Sequence, residues 1–255
     1  MADLDKGTDS APLVKSKYFD TASSNGKSPD VPVQPFCSRL ESRLTKMEAS
    51  DVLQNRARKI QEELSSMADF LVFDTETTGI SSSDVIVQIA WAVYGPDGSN
   101  MKHCTVYWKT PPGIRISSNA LSVHKITNEF ITSNGQDPLP HIIEFFALVY
   151  VMRARGRRVV AHNASFDVRM LNQTCQKWGV KAAMDRDDFF CTMRAAMPHC
   201  GLVNKVGRPK APRNSELFHY LSGVTCDEKL LHDAQADIAL TASSYRLGRE
   251  RRWWD

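Results

Sequence analysis

The run FLVF at 70–73 narrows the fold most, because it is apolar at every position and is followed at once by the acidic residues Asp74 and Glu76. A strand with one wet face alternates apolar and polar residues, whereas a run apolar on both faces belongs to a central strand covered by helices on each side. VIVQIAWAVY (85–94), the turn GPDGSN and MKHCTVYW (101–108) read as two further strands joined as a hairpin. Helical periodicity then takes over in a short segment near 118–124 and in PLPHIIEFFALVYVMRARG (138–156), with its proline start and Gly156 stop. FDVRMLNQTCQKWG (166–179) places Phe166, Met170, Cys175 and Trp178 roughly on one helical face, and helices around 214–221 and 234–247 follow. RVVAH (158–162) and FFCT (189–192) supply a fourth and a fifth strand. Three strands in a meander, then alternating helices and strands, predict an α/β fold: a mixed five-stranded sheet with helices on both faces.

Ahead of this unit, residues 1–35 are rich in Ser, Asp, Lys and Pro and lack periodicity, which predicts a disordered tail. Residues 36–67 form an amphipathic helical segment. Leu40, Leu44 and Met47 share one face; Leu53, Ala57, Ile60, Leu64 and Met67 share another after a break at Ser50-Asp51 read as an N-cap. A helix packed on the following domain is favoured there over a partner-binding coil. The principal domain runs over 68–248, and 249–255 (RERRWWD) is a basic, aromatic tail whose Trp253 and Trp254 are expected to pack back rather than stack on bases.

A net charge of +3 across 255 residues is too mild to identify a nucleic-acid binder. Six scattered cysteines without a CxxC pair exclude a zinc ribbon and a disulfide framework, and no apolar run is long enough for a membrane span. A soluble intracellular protein is expected, in the cytoplasm, or in the nucleus of a eukaryote.

The chemistry lies in three elements. Asp74 and Glu76 stand two apart on a strand, so both carboxylates point to one side, and FDTETTGI holds no Lys or Arg to offset them. In HNASFD (162–167), Asn163 is placed to cap a helix with Asp167 in its first turn, where a carboxylate also gains from the helix dipole without any further role. In LLHDAQADIAL (230–240), His232 and Asp237 are about 140° apart on a continuous helix; they face one site only if Asp233 begins the helix and His232 lies on the loop entering it. Hard oxygen ligands of this kind select Mg²⁺ or Mn²⁺ over zinc, and two such ions about 4 Å apart suit in-line displacement at a phosphodiester.

FDTETTG, VVAHNASFD and HDAQAD resemble the three sequence blocks of the DEDDh exonucleases, the group that includes the proofreading epsilon subunit of bacterial polymerase III, and VHKIT (123–127) is similar to that family's VHGIT. The resemblance, over roughly 68–248, implies a ribonuclease-H-like fold and release of nucleoside monophosphates from a 3′ end. It also implies that Asp74 bridges two ions, Glu76 and Asp237 complete the tighter site, Asp167 serves the second and His232 is the general base. Imidazole suits that last role because it titrates near neutral pH. Thr77, the backbone beside Thr78, His124 and Asn163 correspond to positions that hold the terminal nucleotide or line the site. Lys125 stands where relatives often carry glycine, so the turn after His124 is expected to differ.

The implied partner is a nucleic acid with a free 3′ end, with 36–67 a candidate contact for a polymerase or other protein. RARGRR (153–158) and KVGRPKAPR (205–213), the latter expected as a mobile loop, are candidate phosphate contacts. The epsilon-like DTETTG leans the expectation toward DNA, in proofreading or end trimming. An RNA 3′-5′ exoribonuclease, a structure-specific endonuclease and a non-catalytic binding module on the same fold stay open.

Overall fold

A computed structural model describes residues 47–180, 183–227 and 232–254. The tail expected over 1–35, and the face assigned to Leu40 and Leu44, lie outside the described residues. Five strands, β1 (Phe70–Thr77), β2 (Ile86–Tyr94), β3 (Asn100–Tyr107), β4 (Arg158–Ala161) and β5 (Phe190–Cys191), form one sheet in the order β3-β2-β1-β4-β5. The first three run antiparallel as a meander, while β4 and β5 continue the sheet parallel to β1. This is the mixed sheet predicted from the strand pattern.

The helices are α1 (Met47–Glu63), α2 (Ser118–His124), α3 (Asn128–Asn134), α4 (Pro138–Ala154), α5 (Ala164–Lys177), α6 (Thr192–Cys200), α7 (Asn214–Ser222) and α8 (Ala234–Glu250). Alternation along β1 builds two cores. Leu71 and Phe73 face α1, α4 and α5, and Phe70 and Val72 face α6, α7 and α8. On the α8 face β2 offers Ala90 and Ala92, and α8 offers Ala234 and Ala242. These small side chains let the helix lie close to the end of β1.

Asp137 caps α4 at Leu139 N and a proline opens the helix, as its sequence requires. Two helices were not read from sequence. Thr127 caps α3 by accepting from Phe130 N, and α6 is a short helix that carries Pro198 inside it.

The segment before the sheet differs from its reading in two respects. α1 passes through Ser50 and Asp51, so these are not its N-cap, and Met67 is beyond the helix and exposed. Leu53, Ala57, Ile60 and Leu64 do share a face, which is buried against α4. The apolar face of the described part of the candidate partner contact is therefore covered. The Arg155 guanidinium closes the joint, donating to the carbonyls of Gln61 (2.8 Å), Ser65 (3.0 Å) and Leu64 (3.2 Å) at and just past the helix end.

The first basic stretch is put to similar internal use. Arg153 pairs with Asp188 at 3.0 Å, Arg157 with Asp69 at 3.5 Å, and Arg158 lies over the Phe190 ring. Around the second stretch an isolated antiparallel bridge between Val203 and Pro209 closes a turn on which Lys205 and Arg208 are exposed. Asn204 Oδ1 accepts from Val206 N and Arg208 N, and Lys210 pairs with Glu216 at 2.6 Å.

At the C-terminal end Trp254 is 7% exposed and donates to Tyr245 O at 2.9 Å, and Trp253 stacks on His199. Replacing Trp254 by Ala removes this anchor and is expected to cost about 3–5 kcal/mol in urea unfolding. A loss below about 1 kcal/mol would show that the tail does not support the core.

Candidate active site

β1 ends in the residues that matter. Its burial alternates so that Asp74 and Glu76 share the α8 face, and a register shift between Glu76 and Thr77 ends the regular pairing with β2. Asp237 comes from the first turn of α8, whose N-cap is Asp233. His232 therefore precedes the helix, the arrangement that lets His232 and Asp237 face one site. One carboxylate oxygen from each of Asp74, Glu76 and Asp237 lies within 4.8 Å of the others.

Asp167 arrives from the other flank. β4 pairs with β1 only as far as Val72, so beside Asp74 that edge of β1 is open, and the start of α5 fills the space. Thr75, on the α5 face of β1, donates its hydroxyl to Asp167 Oδ1 at 2.7 Å. Asp167 exerts the largest neighbouring charge on Asp74, yet its oxygens do not join the set that lies mutually within 4.8 Å.

Buried like charges make protonation easier. Burial, then Asp167, Asp237 and Glu76, hold the Asp74 carboxyl well above the usual carboxylate range. Burial, then Asp237 and Asp167, push Glu76 up to about 8. Burial also raises Asp167 and Asp237, opposed in the first by the Thr75 hydroxyl and in the second by the His232 N–H and the Asn214 amide. The donor set is all carboxylate oxygen, with neither cysteine nor histidine in the cluster. A hard divalent cation fits it, and one bound there relieves the repulsion directly.

His232 is exposed and sits at φ 69°, its backbone N–H donating to Asp237 Oδ2 at 3.0 Å. Asn163 occupies the N-cap position of α5 at φ 63° but makes no side-chain capping bond, which corrects the capping role expected of it. Lys125 holds φ 63° as the C-cap of α2, so the turn keeps a left-handed conformation despite the side chain. Lys125, Asn163 and His232 are three of the four non-glycine residues with positive φ among the described residues. Backbone strain of this kind collects where a site dictates geometry.

His124 is buried. Its Nδ1 accepts from Ile126 N at 3.0 Å, so Nε2 carries the proton and donates to Thr77 O at 3.1 Å, and burial lowers its pKa. Thr77 donates its hydroxyl to Gly79 O at 2.7 Å. Thr78, expected beside the substrate, is fully buried, with its hydroxyl on Asp84, its N–H on Val85 O and its carbonyl accepting from Ser117 N. These bonds shape the loop.

Three supporting residues escaped the sequence reading: Thr75, Asn214 and Gln88. Asn214 Nδ2 donates to Asp237 O at 3.2 Å and Thr241 Oγ1 at 3.0 Å, tying α7 to α8. Gln88 Nε2 donates to Asp233 Oδ1 at 3.0 Å. Only Gln88 left a signal, as the lone amide in an apolar strand.

The raised carboxyl groups set a pH dependence. The folded protein holds protons that the unfolded chain releases, so without divalent ions the contribution of these groups to stability is full below the ordinary carboxyl range and is lost as pH rises toward the folded Glu76 value of about 8. Melting temperature measured in chelator should therefore drop between pH 5.5 and 8, and added Mn²⁺ should raise it more at pH 8 than at pH 5.5. A flat profile in chelator, unaffected by Mn²⁺, is the opposing result.

Residues 71–245 match the family model described as Exonuclease, RNase_T. DNA polymerase III subunit epsilon of Buchnera aphidicola is 37% identical over 190 residues, covering 69% of this chain and 71% of that protein. DNA polymerase III PolC-type of Listeria welshimeri is 31% identical over 121 residues, 46% of this chain, but the match spans only 8% of that protein's length. Among solved structures, Escherichia coli exonuclease I in complex with an oligonucleotide shares the fold at a TM-score of 0.53 and 19% identity, covering 72% of this chain and 41% of that one. The sheet order, the acidic site at the end of β1 and the family match over most of the chain lead to one conclusion: this protein belongs to the RNase_T exonuclease family.

Proposed function

We propose that this protein is a metal-dependent 3′-to-5′ exonuclease that releases nucleoside monophosphates from nucleic-acid 3′ ends, with DNA the favoured substrate. The observation that carries the reading is the set of Asp74, Glu76 and Asp237 carboxylates within 4.8 Å, at a site where the main charges acting on Asp74 are other carboxylates. Such a cluster is stable in its ionised form only with cations between its members. Asp74, Glu76 and Asp237 would hold one Mg²⁺ or Mn²⁺, and Asp167 with Asp74 a second. When bound, such ions lower the pKa of water and offset charge on the attacking and leaving oxygens.

The remaining work falls to the chain. His232, exposed at the mouth of the site, accepts the proton from the attacking water and passes it to solvent. The water oxygen forms a bond to phosphorus as the bond to the 3′ oxygen of the preceding nucleotide breaks, and that oxygen takes a proton from solvent, which frees a monophosphate and leaves a new 3′ hydroxyl end. The pin between the His232 backbone N–H and Asp237 Oδ2 keeps base and ligand in step. Thr77, the bond from His124 Nε2 to its carbonyl, and the uncommitted Asn163 side chain are assigned to holding the terminal nucleotide. The preference for DNA rests on the polymerase III epsilon relative, and a polymerase is the partner proposed on the same ground.

5′-labelled DNA and RNA oligomers with Mg²⁺ or Mn²⁺ test the reading. Laddering from the 3′ end, faster on DNA, and intact circular strands are expected; cleaved circles would point to an endonuclease, and faster RNA laddering to an exoribonuclease. Asp74→Ala should lower turnover by about a thousandfold or more, and His232→Ala by about 10²–10⁴-fold with Mn²⁺ binding retained. Undiminished turnover in Asp74→Ala would sink the metal-site assignment.

A further inference from the structure

All nine residues of β2 are buried, and among them Gln88, 1% exposed, is the one whose side chain carries an amide. An amide in that position is tolerated only when its donor and acceptor are both satisfied. Both are, and at one place. Nε2 donates to Asp233 Oδ1 at 3.0 Å, and Oε1 accepts from Ala234 N at 3.3 Å. These are the N-cap and the first residue of α8.

The cross-strand partner of Gln88 is Glu76, so the two side chains leave the sheet on the same face. One helical turn past the clamp, Asp237 N donates to Asp233 O at 3.0 Å, and Asp237 Oδ2 accepts from His232 N. Asp233 also accepts from Gln235 N at 3.1 Å, holding the first turn closed. A single side chain opposite Glu76 therefore fixes the height and rotation of the helix start that carries both Asp237 and His232. Packing alone would be met by Met or Leu; the amide adds direction.

We infer that Gln88 is the positioning residue that sets α8 against β1, and so fixes Asp237 and His232 relative to Asp74 and Glu76 for cation binding and proton transfer. This rests on the metal-dependent nuclease reading above.

The test uses the full chain, with Mn²⁺ binding followed by calorimetry and turnover on a 5′-labelled oligomer. Gln88→Met, close in shape, removes both bonds. Its Mn²⁺ affinity is expected to fall about tenfold or more and kcat to fall with it, while KM for the oligomer stays within about twofold. Gln88→Met that folds and binds Mn²⁺ like the parent overturns the inference and leaves the nuclease reading intact. A parent protein that binds no Mn²⁺ overturns both.

Exposed Asp233 provides a second arm that does not touch the core. Asp233→Asn and Asp233→Ser both lose the charge and both can cap a helix, but only asparagine is long enough to accept from Gln88. Asp233→Asn is expected to bind Mn²⁺ severalfold more tightly than Asp233→Ser. Equal affinities would overturn the inference even where Gln88→Met does not fold.

Discussion

Four carboxylates packed at the end of one strand form the constraint to which the surrounding structure answers. Left in water they would separate; here β1 fixes two of them by alternation, α8 brings a third and α5 a fourth. Two of them accept from groups that supply N–H or O–H but no cationic side chain: Thr75 on Asp167, and the His232 backbone and Asn214 amides on Asp237. Neutral donors orient a carboxylate without cancelling its charge. The negative potential is thus conserved for something that arrives from outside.

The sheet is built to bring these groups close. Two full cores, one on each face of β1, fix the strand so that its polar end has little freedom, and the small alanines of β2 and α8 reduce the spacing between sheet and helix. β4 is short, and its early end opens the edge of β1 through which α5 reaches the site. Family membership agrees with this architecture, since the matched span runs from the start of β1 to within α8.

Much of this was legible in the residues. FLVF announced a strand covered on both sides, the meander and the parallel additions followed from hydrophobic period, and the spacing of His232 and Asp237 required a helix start between them. What was hidden depended on groups distant in sequence. Nothing near Asn214 marks its bond to Asp237, and nothing in RARGRR tells that Arg155 would read the carbonyls at the end of α1. Val85, Asp84 and Ser117 take up the polar groups of Thr78, and no local pattern marks their approach. Short helices such as α3 and α6 offer too few turns for periodicity to register.

The Arg155 joint also determines which way the molecule faces. Arg56 meets Glu144 and Leu64 meets Arg155, so α1 and α4 run side by side in the same sense, with their C-terminal ends together at the start of β1. The first described turn of α1 consequently lies roughly 25 Å away, toward the edge of the sheet that bears the acids, whereas α8 carries the chain from that edge to the opposite pole, where Trp254 docks. A probe attached at exposed Asp51 would stand toward the acidic end of the sheet, and one attached at exposed Arg252 would sit at the far pole.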